Sequence, residues 1–247
     1  DHGKRAVSSF PIATGVYYKQ DYSSGVDISK YKNIPVPTSY MAIRSKFDFV
    51  GGYEEDKKGG LLHVADHHVS PGKKQWTWGN GDFGVAWDRN LTDEDGPYIE
   101  LMTGVYTDNQ PDFTWLQPYE EKSWVQYFMP YAEVGYVKNA TKDLILNVDV
   151  QGNNTKLILY ATGKQPKVRV LVKDVSGKIL FDNTVNVSPA EPFCVEFPSN
   201  GVLAENMITD IYGQDGKLLL TYKADKEEIK PLPNPAEAAK DPKEIAS

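Results

Sequence analysis

Residues 144–161 read LILNVDVQGNNTKLILYA: two apolar runs, Leu144–Val150 and Lys156–Ala161, separated by the turn residues Gly152-Asn153-Asn154. Successive side chains of a strand point to opposite faces, so short alternating runs between turn signals predict half-buried strands rather than helices. The same grammar continues downstream. Val168–Val172 and Lys178–Phe181 flank Ser176-Gly177, and Ile208–Tyr212 and Lys217–Tyr222 flank Asp215-Gly216. Each pair reads as a hairpin, because small or glycine-containing turns accept the positive φ that tight hairpin connections need. About seven strands over roughly 85 residues is the pattern of an immunoglobulin-like β-sandwich. It is placed at residues 139–224. This stretch has no Trp and only Cys194, so the likeness is to sandwiches in general and not to antibody domains.

Working outward, the junction Lys138-Asn139-Ala140-Thr141 separates this sandwich from residues 1–138, and a charged, Pro-containing linker or tail fills 225–247. The first region is tyrosine-rich and broken by turns such as Pro35-Val36-Pro37. Ala42-Ile43-Arg44, Leu61–Ala65, Tyr98–Met102 and Trp124–Met129 read as strands or strand fragments. Gly51-Gly52 and Gly59-Gly60 bracket a charged loop, Tyr53–Lys58, and Asp108-Asn109-Gln110-Pro111 reads as a turn. No helical period is sustained anywhere. The expected fold class is therefore all-β.

The chain has 247 residues and a formal net charge of −7. An acidic surface without a Lys/Arg block repels phosphate backbones, which argues against nucleic acid and suits neutral ligands such as sugars. A single cysteine cannot build an internal disulfide framework. No apolar run is long enough to span a membrane. Because the sequence starts at Asp1 with neither Met nor a leader, a mature or trimmed piece of a larger protein is expected.

All five tryptophans, Trp76, Trp78, Trp87, Trp115 and Trp124, lie between Pro71 and Tyr136. The apolar C–H faces of a sugar ring pack on flat aromatic rings, while its hydroxyls need fixed polar partners. Trp76, Trp78 and Trp87 beside Asp66, Asn80 or Glu100 would offer both. The bland alternative is that these rings fill a wide sandwich core. Glu100, set among the apolar residues of Tyr98–Met102, either faces solvent or has a purpose, since an unpaired buried carboxylate is costly. His63-Val64-Ala65-Asp66-His67-His68 is the densest ionisable group. If the strand continued through it, His63 and His67 would share one face, which would allow a metal pair or an acid/base partner. The spacing fits no standard zinc motif, and metal ligation is not assigned. Asp93-Glu94-Asp95-Gly96 is the one candidate for calcium, although such acidic turns are usually solvated.

Pro71-Gly72-Lys73-Lys74-Gln75-Trp76-Thr77-Trp78-Gly79, followed by Leu91–Leu101, resembles a bacterial domain of unknown function related to the galactose mutarotase-like β-supersandwich. Asn109-Gln110-Pro111-Asp112-Phe113, with Leu116 and Pro118-Tyr119-Glu120, is similar to the closing strands of aldose 1-epimerases. The resemblance covers about residues 25–137 and implies a partial supersandwich, its C-terminal part, ahead of the sandwich. It also implies missing N-terminal strands and following tetratricopeptide repeats in a parent protein, and a periplasmic or cell-surface location. Glu100 matches the family's catalytic base. The family's acid is a histidine much farther upstream than His63, His67 or His68, so none of these carries over as that acid.

Three function classes fit. Carbohydrate binding ranks first, with Trp76, Trp78, Trp87, Asn80, Gln110, His63 and His68 as contacts. A carbohydrate-active enzyme of epimerase, glycosidase or lyase type would use Glu100 as general base, with His67 or Asp66 as partner. A structural or interaction domain would need no ligand.

Overall fold

The computed structural model describes residues 10–42, 45–93, 95–107 and 113–225. It is an all-β chain of antiparallel sheets with one α-helix among the described residues. The strands are β1 (Ile12–Ala13), β2 (Val16–Tyr17), β3 (Gln20–Asp21), β4 (Val26–Asp27), β5 (Thr38–Met41), β6 (Phe49–Glu54), β7 (Gly59–Val64), β8 (Gly72–Thr77) and β9 (Ile99–Gly104). They continue as β10 (Tyr127–Ala132), β11 (Asn139–Ala140), β12 (Leu144–Gln151), β13 (Asn154–Ala161), β14 (Gln165–Asp174), β15 (Ile179–Val187), β16 (Phe193–Pro198), β17 (Met207–Tyr212) and β18 (Leu218–Lys223). Helix α1 covers Asp82–Leu91. Two compact units emerge, each drawn from separate stretches of sequence: residues 10–42 with 72–121, and residues 45–71 with 122–225.

The second unit contains the sandwich. Its sheets run β11-β12-β13-β16 and β15-β14-β17-β18. Leu144, Leu146 and Val148 of β12, Leu157 and Leu159 of β13, and Val168, Val170 and Val172 of β14 alternate into one core with Ile211 and Leu220. Both expected hairpins form, β14–β15 and β17–β18. Ile145 and Ile158 point the other way, yet they are buried too. They pack with Leu62, Val64, Met129 and Tyr131 of a third sheet, β10-β7-β6. That second layer explains why the 144–161 stretch is apolar on both faces where a simple sandwich strand would alternate.

In this third sheet the expected loop at 53–58 is shorter, because β6 and β7 extend through Glu54 and from Gly59. The strand expected at Trp124–Met129 instead begins at Tyr127 and runs through Pro130 to Ala132. A proline has no N–H for a ladder, but β10 is an edge strand and pairs only with β7, so one side needs no donor.

In the first unit, β5-β8-β9 form a three-stranded sheet beside the small β1–β4 and β2–β3 pairs. Ala13, Tyr17, Tyr22, Ile28, Ile34 and Tyr40 make its core. Helix α1 corrects the expectation of β-structure throughout. Asp82 occupies its first turn and Arg89 its last, which matches the helix dipole. Phe83 and Trp87, four residues apart, stand on one face. Gly84 is buried against the Gly79 carbonyl, where a Cβ would meet the oxygen at 1.7 Å, so only glycine lets the helix come this close.

Ile43, Arg44, Glu94, the turn expected at 108–111 with Gln110, and residues 226–247 of the expected tail lie outside the described residues.

Candidate functional site

Strand β8 carries the site because it is the middle strand of its sheet. Its register sets Trp76 opposite Ser39 of β5 on one side and opposite Glu100 of β9 on the other. Directly opposed residues share a face, so Ser39, Lys74, Trp76, Glu100 and Met102 all project from the same side. With Tyr18 and Trp78 they line a groove of about 330 Å³. Small-molecule sites span roughly 300–1,000 Å³, and this groove lies at the lower end of that range.

Several contacts hold the groove in shape. The Tyr17 hydroxyl donates to the Ser39 carbonyl at 3.0 Å. The Glu100 carboxylate raises the pKa of the Tyr98 phenol, two residues earlier and just ahead of β9. Tyr18 and Lys19 are the two central residues of the β2–β3 turn, with φ of 43° and 68°. Left-handed backbone at two consecutive residues that are not glycine is uncommon, and such strain gathers where a side chain must be presented in a set place. Here the side chain presented is the Tyr18 ring, on the groove wall.

The tryptophans do different jobs. Trp78 stacks on Trp87 with centroids 4.7 Å apart and planes at 10°, and it meets Trp76 edge-on at 5.3 Å. Trp87 therefore buttresses Trp78 from α1 and does not line the groove. The loop that carries Trp78 is anchored by Tyr31, whose hydroxyl donates to the Gly79 carbonyl at 2.9 Å. Burial, with the Asp88 charge adding to it, pushes the Tyr31 phenol up to about 12. Asp88 also accepts the Tyr98 amide at 2.9 Å, tying the helix to the entry of β9. The Asn80 side chain donates to the Tyr31 carbonyl at 2.9 Å, so this candidate contact braces the loop.

The histidines belong to the other unit. β7 ends at Val64, so the expected common face for His63 and His67 does not exist. His63 bonds Gln126 through Nε2 at 3.0 Å and packs edge-on against Phe128. His67 and His68 sit in the turn that follows. The Asp48 carboxylate takes both the His67 amide, at 2.9 Å, and its Nδ1, at 2.7 Å. Asp66 takes the His68 amide at 2.9 Å and its Nδ1 at 3.0 Å, and these bonds lower the Asp66 pKa. Asp48, Ala65 and Asp66 border a second cavity of about 390 Å³ with Trp124, Tyr127 and Lys142. None of the four residues lines the Glu100 groove. Of the acidic turn considered for calcium, Asp93 and Asp95 are exposed.

Tyr18, Ser39, Lys74 and Met102 are groove residues that the sequence reading did not single out. Lys74 was within reach of it: Lys74, Trp76 and Trp78 keep a period of two, which places all three on one face of a strand.

Comparison with known families supplies the affiliation. The profile of a domain of unknown function, DUF5107, matches residues 6–131, just over half of the chain. The chain belongs to the DUF5107 family. Beyond the DUF5107 domain, the profile described as YphG-like protein, second domain, matches residues 139–222 and so covers the sandwich strands. One solved structure similar to part of the chain is a TPR-domain containing protein from Parabacteroides distasonis. The match has 26% identity over 46% of this chain and 18% of that one, with a TM-score of 0.36.

Proposed function

We propose that the DUF5107 domain binds carbohydrate in the groove on the β5-β8-β9 sheet. The observation that carries this reading is the pairing of Trp76 with Glu100 across the β8–β9 register, on the open face of the sheet. A half-buried indole offers a flat apolar platform for the C–H face of a pyranose. Glu100 and Lys74 beside it supply an acceptor and a donor for hydroxyls, and Tyr18 closes the rim. The proposal includes the kinship of the domain to the mutarotase-like supersandwich, a parent protein with further strands and tetratricopeptide repeats, and a periplasmic or cell-surface site of action.

A catalytic reading has one observation of its own. Glu100 shares its groove with the Lys74 ammonium group, so a base and a proton donor lie together, and the Glu100 carboxylate raises the pKa of the nearby Tyr98 phenol. In that reading Glu100 is the general base and Tyr98 or Lys74, rather than His67 or Asp66, is its partner.

Isothermal titration of the chain with mono- and oligosaccharides tests both. Saturable binding is expected, weakened about tenfold or more in Trp76→Ala as the stacking platform is lost. Glu100→Gln keeps an acceptor oxygen, so simple binding should survive it within a few-fold, whereas turnover of the bound sugar should vanish. A folded Trp76→Ala variant with unchanged affinity would remove the proposal.

A further inference from the structure

We infer that the turn Asp66-His67-His68 is a binding site for a first-row divalent transition-metal ion of the zinc class. Nothing in the groove proposal bears on it. One ligand atom from each of the three residues lies within 4.8 Å of the others. Ligands of a tetrahedral zinc stand roughly 3.3 Å apart, as bond lengths near 2.0–2.1 Å require. Small rotations of the exposed Asp66 and His68 side chains close the difference.

Proton placement favours a metal as well. A carboxylate can only accept, so the 2.7 Å contact to Asp48 puts the His67 proton on Nδ1 and leaves the lone pair on Nε2. An imidazole whose second nitrogen donates to a carboxylate is the usual arrangement for a metal-bound histidine, because it fixes the ring and raises the ligand's basicity. Asp48 is thus a positioning residue and not a ligand. The turn is also held by its backbone. Val69 and Ser70 amides both donate to the Asp66 carbonyl, at 3.1 and 2.8 Å, so the backbone that carries the ligands is fixed before an ion arrives.

Two imidazoles and one carboxylate suit zinc, nickel or copper, and are a poor match for calcium or magnesium, which take oxygen ligands. Asp48 and Asp66 border the 390 Å³ cavity, so an ion held here would have its open position next to space for water or an anionic group.

The test is titration of the whole, metal-stripped chain with zinc chloride by calorimetry, and with cobalt chloride by visible absorption. One equivalent should bind, with the d–d bands of a low-coordinate site, and millimolar calcium should not displace it. His67→Ala and His68→Ala should each weaken binding by tenfold or more. Asp48→Asn should cost about tenfold while leaving one equivalent bound, as loss of an orienting partner does. His68 is 77% exposed in its side chain, so His68→Ala keeps the test valid even if His67→Ala fails to fold. His2→Ala serves as the control and should change nothing. Absence of binding, binding untouched by His68→Ala, displacement by calcium, or loss of binding in His2→Ala would each overturn the inference.

Discussion

At the scale of single residues, the site depends on who stands opposite whom. Trp76, Trp78 and Glu100 could be chosen from sequence because aromatic rings and an isolated carboxylate are chemically conspicuous. Tyr18 and Ser39 could not, since they reach the groove through a distant hairpin and through pairing of β5 with β8, neither of which short-range pattern encodes. His67 shows the opposite error. Its phase relative to His63 was right for a strand, but the strand stops at Val64 and the turn gives His67 to Asp48. The Tyr31 phenol makes a prediction about pH. Its folded-state value is raised, to about 12, above the ordinary tyrosine value, so its contribution to stability is complete below pH ~10. As pH rises from there toward 12 that contribution is lost. Thermal melts should therefore fall over this range, and more gently in Tyr31→Phe, which has no proton to lose; equal slopes would reject the assignment.

At the scale of elements, α1 was the least legible. Phe83, Trp87 and Leu91 do keep a helical spacing, but ten residues offer only three such positions, and the run starts from Gly81 where a Ser, Thr or Asp cap would have signalled a helix. Its packing predicts a test in which two effects compete. Gly84→Ala improves helix propensity by about 1 kcal/mol. The new Cβ would, however, meet the Gly79 carbonyl, and such overpacking costs roughly 1–3 kcal/mol. The clash should win, lowering stability in denaturant titration. Trp87→Ala should likewise lower stability and leave sugar affinity within a few-fold, because Trp87 supports Trp78 from behind. Strand β10 starts and ends three residues later than the sequence pattern suggests, because Pro130 discourages a strand except at a sheet edge, where β10 lies.

For the whole molecule, the hairpins of the 139–224 sandwich were readable because alternation and glycine-containing turns are local signals, although eight strands, β11–β18, stand where about seven are expected. The third sheet, β10-β7-β6, was not, as its strands come from two separate stretches and pack on the outward face of β12 and β13. Leu159, fully buried, belongs to the sandwich core. Leu159→Ala should cost about 2–5 kcal/mol in equilibrium unfolding, the range for leucine truncation in a packed core. Ile158→Val faces the third sheet and should cost only about 0.5–1.5 kcal/mol. The claim that the β5-β8-β9 groove binds sugar is tested most directly by following the indole N–H resonances of the five tryptophans as oligosaccharide is added. The Trp76 and Trp78 resonances should shift and saturate together, while Trp115 and Trp124 stay in place; shifts confined to Trp115 or Trp124, or no shift at any sugar concentration, would contradict it.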